Sequence, residues 1–309
     1  MKKVKKVVIC LPFCQKNSKK KGILSANEIK EIERMLGEDK SIKYLGNVDL
    51  EKLRISGNKF SCNGTDLAKV DLFFWYDLGV RKFLGDLKKL PKNVKVLKNP
   101  KSFEIVADKF LAHSLLKRNG LPVADFALID YNDLPRMRKI IRRWKTILIK
   151  PRLGNFGRGI IKVCEFETFR DIAGYLKMEH KQKDIFIERF YENDIDKWIS
   201  TTVINGEVVY GYRKKKEKFA GWKVYDIKAK GGGAYYIDPA PVKKFAEKAA
   251  KLLDRSIVGF DFIKTREGYK IVDENNFPGF YPDAFREAGK DVSILIADLI
   301  ISHAHKIKR

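Results

Sequence analysis

Clustered cysteine and histidine are missing from this sequence. Four cysteines are present: Cys10, Cys14, Cys62 and Cys164. Four histidines are present: His113, His180, His303 and His305. No CxxC pair or histidine cluster provides the ligand spacing of a zinc site. We therefore interpret the cysteines as small, reduced core residues and the histidines as structural. No catalytic triad is visible.

Long apolar runs and a dinucleotide turn are also absent. No run is long enough to cross a bilayer. The first apolar stretch, Val7–Phe13, is interrupted by Pro12 and lacks a small-residue cleavage site, so we predict a strand and a cytoplasmic protein. Because no GxGxxG turn follows that strand, a dinucleotide site there is disfavoured.

Acidic residues are few relative to basic ones. Lys and Arg total 64 against 39 Asp and Glu, a net charge of +25. Nucleic acid, an acidic protein tail and a polyanionic metabolite are all partners that such a charge attracts. The bases are dispersed and no nucleic-acid motif accompanies them, so a solvated basic surface is favoured over nucleic-acid binding. The charge weakly favours an acidic substrate.

The chain has 309 residues and 44% hydrophobic residues, as expected for a folded protein of two or three lobes. Residues 6–11, 72–75 and 94–97 read as strands and 26–35 as a helix, which predicts an open α/β lobe over about the first hundred residues. A single helix capped by Ser102 is predicted to run to Arg118. Alternating strands and helices follow, with a hairpin turn at Asn205-Gly206.

A hairpin near the C-terminus carries the most specific signal. If it is centred on Glu267, Thr265 pairs with Tyr269, and Asp261 faces Asp273 at roughly 5 Å. Asn275 shares that face and Glu274 points away. Two carboxylates and an amide oxygen that converge suit a hard cation such as Mg²⁺ bridged to phosphate. An exposed hairpin with scattered acids is the alternative.

A glycine-rich segment spans residues 147–163. Gly154, Gly157 and Gly159 permit positive φ and close approach of the backbone, and the exposed N–H groups of such a loop bind phosphate oxygens. The segment that follows the loop is rich in β-branched residues and is predicted to be a strand and not a helix, which excludes a P-loop. Lys150 ends the incoming strand, where it can neutralise a nucleotide phosphate. An ordinary mobile hairpin is the alternative.

Four other residues are ambiguous by themselves. Lys109 lies within a predicted helix, and Glu188 ends a strand where a carboxylate can read the adenine amino edge. Asp196 begins the next strand, where a polar group can hold ribose or phosphate. Arg213 ends a strand from which it can reach a γ-phosphate.

Taken in order, these residues resemble the ATP-grasp superfamily, and most closely the RimK-type and glutathione-synthetase-like ligases. The resemblance covers nearly everything from Lys101 to Pro282, and its most specific parts are the Lys-Pro-glycine loop and the Asp…Asp-x-Asn-x-x-Pro-Gly pattern. It implies an α/β fold with an N-terminal pre-ATP-grasp lobe (1–100), a lid subdomain with the glycine-rich hairpin (101–186) and a C-terminal subdomain with the metal site (187–309).

The resemblance also implies roles for the candidate residues. Lys109 and Lys150 are expected to bind ATP phosphates, with Glu188 at the adenine. Asp261, Asp273 and Asn275 are expected to hold Mg²⁺, or Mn²⁺ in its place. The family usually has Glu where Asp273 stands.

A second departure concerns the γ-phosphate. The family often has Arg-x-Asn before a Gly-Gly there, and this chain has Tyr225 to Gly233 instead. We expect Lys228 or Lys230 to substitute, and we assign Lys228 and Arg213 to catalysis.

The expected activity is an ATP-dependent ligation. A substrate carboxylate is activated as an acyl phosphate, and an amine, for example an amino acid such as glutamate, displaces the phosphate. The substrate is expected to be a small molecule or an acidic peptide, and homo-oligomers are common among similar ligases. A kinase acting on a hydroxyl, and a nucleic-acid- or partner-binding protein with a vestigial nucleotide site, are the rival hypotheses.

Overall fold

The computed structural model describes residues 4–11, 24–76, 83–97, 99–154, 157–180, 184–214, 219–220, 222–224 and 234–307. Three principal sheets and their covering helices form a mixed α/β architecture, as predicted. Within these ranges, no helix combines the length and the apolar character needed to pass through a bilayer.

The first lobe is built on a parallel sheet. Its elements are β1 (Lys5–Cys10), α1 (Ala26–Glu38), β2 (Ile42–Asn47), β3 (Arg54–Ser56), β4 (Lys59–Cys62), β5 (Thr65–Asp66), β6 (Leu72–Trp75), α2 (Leu84–Leu87) and β7 (Lys95–Leu97). The order β2-β1-β6-β7 is parallel throughout, and β3 to β5 form a small antiparallel sheet. All four residues of β6 are buried, as expected for a strand covered on both faces. A reciprocal capping box between Ser25 and Glu28 begins α1.

Two helices, α3 (Pro100–Ala107) and α4 (Lys109–Arg118), replace the single helix predicted here, so that prediction is wrong. Asn99 and not Ser102 caps α3. Asp108 adopts an extended conformation, ends α3 and caps α4 by accepting hydrogen bonds from the N–H groups of the next turn. The break therefore places Lys109 in the first turn of a new helix.

The second sheet is antiparallel, and two helices cover one of its faces. Its elements are β8 (Phe126–Asp130), α5 (Leu134–Trp144), β9 (Ile147–Lys150), β10 (Ile161–Val163), α6 (Phe166–His180) and β11 (Asp184–Arg189), with strand order β10-β9-β11-β8. Met137 of α5 and Phe169 of α6 pack on its isoleucine-rich face. Because side chains alternate along strands, Lys150 and Glu188 lie on the opposite face.

The third sheet is five-stranded and antiparallel, in the order β16-β13-β12-β17-β18. This part comprises β12 (Ile199–Ile204), β13 (Glu207–Lys214), β14 (Phe219–Ala220), β15 (Lys223–Val224), β16 (Ala234–Ile237), α7 (Lys243–Leu252), β17 (Ile257–Thr265), β18 (Gly268–Asn275), α8 (Pro282–Glu287) and α9 (Val292–His305). Asn205 and Gly206 both have positive φ in the turn between β12 and β13, which confirms the predicted hairpin.

Both faces of the third sheet are covered. Helices α4 and α7 pack on one face, and α9 connects the other face to the first lobe. An almost wholly apolar helix such as α9 is expected in this buried position. Helices α3 and α4 pack with the third sheet through Val106 and Leu116, although the predicted boundaries assign them to the lid subdomain; those boundaries stay a prediction.

The cysteines divide between core and surface. Cys10 and Cys62 are buried, as predicted for small core residues. Cys164 is exposed, so the prediction is wrong for that residue. Cys14 lies outside the described residues.

Candidate active site

The two predicted metal carboxylates face each other on the hairpin of β17 and β18. Asp261 pairs directly with Asp273, and Gly259 pairs with Asn275. Asp273 and Asn275 lie two residues apart on one face, while Glu274 lies on the other, opposite Phe260. The register therefore gathers the three predicted oxygen ligands on one side of the hairpin.

The register of the hairpin near its turn differs from the predicted register. Its turn has two residues, so Thr265 pairs with Gly268 and not with Tyr269. That register alone would set Asp261 opposite Val272. A β-bulge between Asp261 and Phe262 leaves Val272 as the extra residue on β18 and restores the opposition of the two carboxylates.

Each of these carboxylates is bound by a lysine from another element. Lys109, in the first turn of α4, donates to Asp273 Oδ1. Lys214, at the end of β13, lies 2.9 Å from Asp261 Oδ2, and Ser200 Oγ donates to Asp261 Oδ1 at 2.6 Å. The two lysines neutralise two acids that would otherwise repel each other across the ladder.

The electrostatic balance keeps Asp261, Lys109 and Lys214 charged. Burial raises the pKa of Asp261, but Lys214 and Ser200 outweigh that effect and hold the pKa below its ordinary value. Burial lowers the pKa of Lys109, and Asp273 more than offsets this, so the pKa is raised. The pKa of Lys214 is raised in the same way, through Asp261. The site therefore contains buried cations next to the face where anionic oxygens would bind.

Lys150 joins the second sheet, of order β10-β9-β11-β8 and called the lid sheet below, to the hairpin. Its ammonium donates to Glu188 Oε1 at 2.6 Å and to the carbonyl oxygen of Val272 at 3.1 Å. Val272 is the bulge residue that immediately precedes Asp273. The predicted phosphate lysine thus lies at the boundary between the lid sheet and the predicted metal site.

His113 occupies the interior of this boundary. Its Nε2 lies 3.2 Å from Glu188 Oε2 and its Nδ1 lies 3.1 Å from Glu274 Oε1, and all three side chains are buried. Burial opposes a charge on the ring, but Glu274 and Glu188 outweigh it and raise the pKa of His113 to about 9. Burial also raises the pKa of Glu188, and Lys150 and His113 reverse that effect, so this pKa is lowered.

The candidate metal ligands fit a hard divalent cation in their donor type. Asp261 and Asp273 supply carboxylates and Asn275 an amide oxygen, the ligand set that Mg²⁺ prefers. Among the described residues, no three His, Cys, Asp or Glu side chains form a group of metal-site type.

A glycine keeps this face tightly packed. A Cβ on Gly259 would lie 2.8 Å from Pro278 Cβ and 3.0 Å from the carbonyl oxygen of Thr201. Such contacts are too close, so Gly259 permits the segment after β18 to fold back onto the sheet beside Asn275.

A family model for the RimK-like ATP-grasp domain matches residues 106–300. The chain belongs to the RimK-like ATP-grasp family. The coenzyme gamma-F420-2:alpha-L-glutamate ligase of Methanocaldococcus jannaschii is 27% identical over 209 residues, which cover 67% of this chain and 70% of that protein.

Two solved structures share the ATP-grasp fold over nearly the whole chain. The RimK domain ATP-grasp protein of Sphaerobacter thermophilus has a TM-score of 0.65 at 15% identity, covering 96% of this chain and 99% of that chain. The ATP-grasp ligase PsnB, solved with its minimal precursor, Mg and ADP, has a TM-score of 0.62 at 15% identity, covering 98% and 99%. The predicted family, the fold and the class of ATP-dependent carboxylate–amine ligase are confirmed.

In this ATP-grasp protein, two glycines of the glycine-rich segment have the positive φ that the sequence permits. Gly157 and Gly159 have φ values of 68° and 71°. A Cβ on Gly159 would lie 2.9 Å from Pro151 Cγ, and one on Gly154 would lie 3.0 Å from Pro151 Cβ. Gly154 and Gly159 therefore lie close to Pro151, the residue after Lys150.

The structure separates Arg213 from Lys214. Tyr212 pairs with Ser200, which pairs with Asp261, so Lys214 shares the face of the carboxylates and Arg213 lies on the other face. The Arg213 guanidinium donates to the carbonyl oxygen of Trp198 at 3.2 Å and to the Tyr235 hydroxyl at 3.3 Å.

Another predicted site residue, Asp196, lies outside the strands that carry the carboxylates. It is exposed in a short turn, where its N–H donates to Asp194. Lys228 lies outside the described residues, so its predicted role stays a prediction.

Sequence reasoning missed Lys214, Ser200, His113 and Glu274. Lys214 and Ser200 follow from strand alternation once β12 is known to pair with both β13 and β17. That register depends on sheet order, which the sequence does not state. His113 and Glu274 carry no motif, and only the packing of α4 against two sheets brings them together.

Proposed function

We propose that this chain uses ATP and Mg²⁺ to convert a substrate carboxylate into an acyl phosphate, and that an amino acid such as glutamate then displaces the phosphate. The observation that carries the proposal is the pair of opposed carboxylates, Asp261 and Asp273, each bound by a lysine beside the glycine-rich hairpin. Positioning and charge neutralisation are what such a reaction requires of a protein.

Asp261, Asp273 and Asn275 would hold the Mg²⁺ ion. When bound, the cation neutralises negative charge on the nucleotide phosphates. Mn²⁺ satisfies the same oxygen ligands.

The lysines would serve the nucleotide phosphates directly. Lys109 and Lys150 are buried, with ammonium groups at the edge of the carboxylate face. We assign to Lys214 the role that the sequence predicted for Arg213 and Lys228, which is to neutralise charge on the transferred phosphate. The 2.9 Å contact of Lys214 with Asp261 and its position on the carboxylate face support this assignment.

Glutamate is proposed as the amine because the relative from Methanocaldococcus jannaschii is named an alpha-L-glutamate ligase. The net charge of +25 also favours acidic reactants, either a small metabolite or an acidic peptide. Cytoplasmic location and homo-oligomer formation stay predictions.

An ADP-release screen over pairs of carboxylates and amines, with product masses recorded, tests the proposal. The expected result is ADP, free phosphate and a product joined by an amide bond. A stable phosphoester with no free phosphate would favour the rival kinase. Absence of ADP release together with strongly salt-dependent nucleic-acid binding would favour the vestigial-site hypothesis.

A matched pair of variants controls the screen. Asp273→Asn removes one carboxylate of the opposed pair and should abolish turnover. Asp298→Asn makes the same chemical change at an exposed position of α9 and should leave turnover unchanged. Full activity of Asp273→Asn would remove that residue from the proposed site.

A further inference from the structure

Four buried side chains form a continuous series from the hairpin to the lid sheet. Glu274 Oε1 lies 3.1 Å from His113 Nδ1, and His113 Nε2 lies 3.2 Å from Glu188 Oε2. Glu188 Oε1 lies 2.6 Å from Lys150 Nζ. The series connects three elements, β18, α4 and β11, with the last residue of β9.

The geometry places the His113 ring between two acids. Both ring nitrogens lie within 3.2 Å of a carboxylate oxygen, but only the Nε2 contact with Glu188 has hydrogen-bond geometry, and the Nδ1 contact with Glu274 is an ion-pair contact. A cationic ring is attracted to both acids, whereas a neutral imidazole carries one N–H and can donate to one carboxylate only. The ring is completely buried, with Phe126 and Phe186 in edge-on contact.

The charges in this series balance. Glu274 and Glu188 contribute two negative charges, and His113 and Lys150 contribute two positive charges. Among the described residues, neither carboxylate oxygen of Glu274 has a hydrogen-bond partner, so the ring charge of His113, 3.1 Å from Oε1, is the main compensation for this buried acid. Loss of the ring charge would leave two acids next to one lysine.

We propose that His113 is a positioning residue, whose cationic ring holds Glu188 and thereby fixes the Lys150 ammonium for nucleotide phosphate. Glu274 keeps the ring in its doubly protonated form. The inference rests on the proposed function, because it takes Lys150 as a phosphate ligand. An uncompensated negative charge would hold Lys150 on Glu188 more strongly and would repel the polyphosphate.

The test measures Mg-ATP affinity by calorimetry without any carboxylate or amine substrate. His113→Gln keeps a donor toward Glu188 and removes the charge, so it should weaken ATP binding by about tenfold or more. His113→Gln combined with Glu274→Gln removes one charge of each sign and should restore affinity to within about threefold of the wild type. If His113 only fills space, the double variant will bind ATP no better than the single one, and that result would overturn the proposal.

Steady-state kinetics provide a second readout. His113→Gln should raise KM for ATP more than it lowers kcat, because the ring contacts no reacting atom. A loss in kcat with an unchanged KM for ATP would contradict the positioning of a phosphate ligand. Wild-type protein that fails to bind ATP would refute the proposed function itself, whereas normal binding by both wild type and His113→Gln would refute this inference alone.

A spectroscopic measurement on the wild type covers the case in which His113→Gln does not fold. With ¹⁵N-labelled histidine, the His113 ring should show two protonated nitrogens at pH 7.5. A neutral ring at that pH would overturn the proposal without any variant. The double variant, which keeps the buried charges balanced, identifies the His113 signals by their absence.

Discussion

Asp261 and Asp273 oppose each other because the bulge at Val272 compensates for a two-residue turn. The pairing sets two acids on adjacent strands, and each acid is bound by a lysine. Stability alone does not require such a group of buried charges, because apolar residues could replace them without a loss of folding free energy. The arrangement is therefore best explained by ligand binding.

The first prediction concerns neighbouring acids on β18. Asp273→Asn should weaken Mn²⁺ binding in the presence of ADP on the order of 100-fold, because a charged ligand is lost. At saturating ADP, Glu274→Gln should change Mn²⁺ affinity far less, because Glu274 lies on the other face of the strand and contacts His113. Electron paramagnetic resonance of free Mn²⁺ measures both. Equal losses in the two variants would show that the face assignment is wrong.

The second prediction separates the two basic residues at the end of β13. Lys214→Met should lower kcat on the order of 100-fold, since a cation next to the transferred phosphate is removed. Arg213→Met should have a smaller effect, because the Arg213 side chain contacts Trp198 and Tyr235 on the opposite face. Single-turnover kinetics distinguish the two, and a larger loss for Arg213→Met would restore the assignment made from sequence.

The sequence alone predicts which site residues of β18 share a face, but it does not predict the residues of other elements that contact them. Alternation along one strand predicts that Asp273 and Asn275 share a face, and that inference needs no tertiary information. Lys214 and His113 reach the site only through the order of strands and the packing of α4. The prediction of one helix from Ser102 to Arg118 is wrong because Asp108, which lies inside that range, caps a second helix.

The third prediction concerns Gly259. Gly259→Ala should lower the free energy of unfolding by about 1–3 kcal/mol, because the new methyl group would lie 2.8 Å from Pro278 Cβ. The matched control is Gly174→Ala within α6, where no atom lies within 4 Å of the new Cβ. That control should be neutral or stabilise by up to about 1 kcal/mol. Urea unfolding measures both, and equal values would contradict close packing at Gly259.

The fourth prediction concerns the start of α4. Asp108 caps the helix and also binds Arg152, which follows Pro151 at the base of the glycine-rich hairpin. Asp108→Ala should cost about 1 kcal/mol of stability and also raise KM for ATP, because two elements of the site lose a shared anchor.

A second cap serves as the control for that variant. Asp133 caps α5 by accepting from the N–H of Arg136, on the outer side of the lid sheet. Asp133→Ala should therefore cost similar stability with an unchanged KM. Thermal unfolding and ATP titration measure the two effects, and a raised KM in both variants would mean that lost stability alone explains the result.

The fifth prediction is a pH dependence of stability. Burial disfavours the charged ring of His113, but Glu274 and Glu188 raise the pKa to about 9, above the ordinary 6.5. The folded state therefore binds an extra proton between pH 6.5 and about 9, and its stability falls as pH rises through that interval. The stabilisation is complete below pH 6.5. The loss should approach about 1.4 kcal/mol per pH unit where only the folded state is protonated.

The charge-balanced double variant His113→Gln/Glu274→Gln provides the comparison. The stability of this variant should not show the fall that His113 causes between pH 6.5 and 9. Its melting temperature relative to that of the wild type should therefore rise over the same interval. Calorimetric scans at several pH values measure the difference. Parallel curves for the two proteins would show that His113 does not carry the charge.

The central claim is that Asp261, Asp273 and Asn275 hold one divalent cation beside the nucleotide phosphates. Anomalous diffraction from a crystal grown with Mn²⁺ and a non-hydrolysable ATP analogue tests it most directly. The account predicts a manganese peak within bonding distance of all three side chains. A well-ordered nucleotide with manganese bound elsewhere, or with the three side chains directed apart, would contradict it.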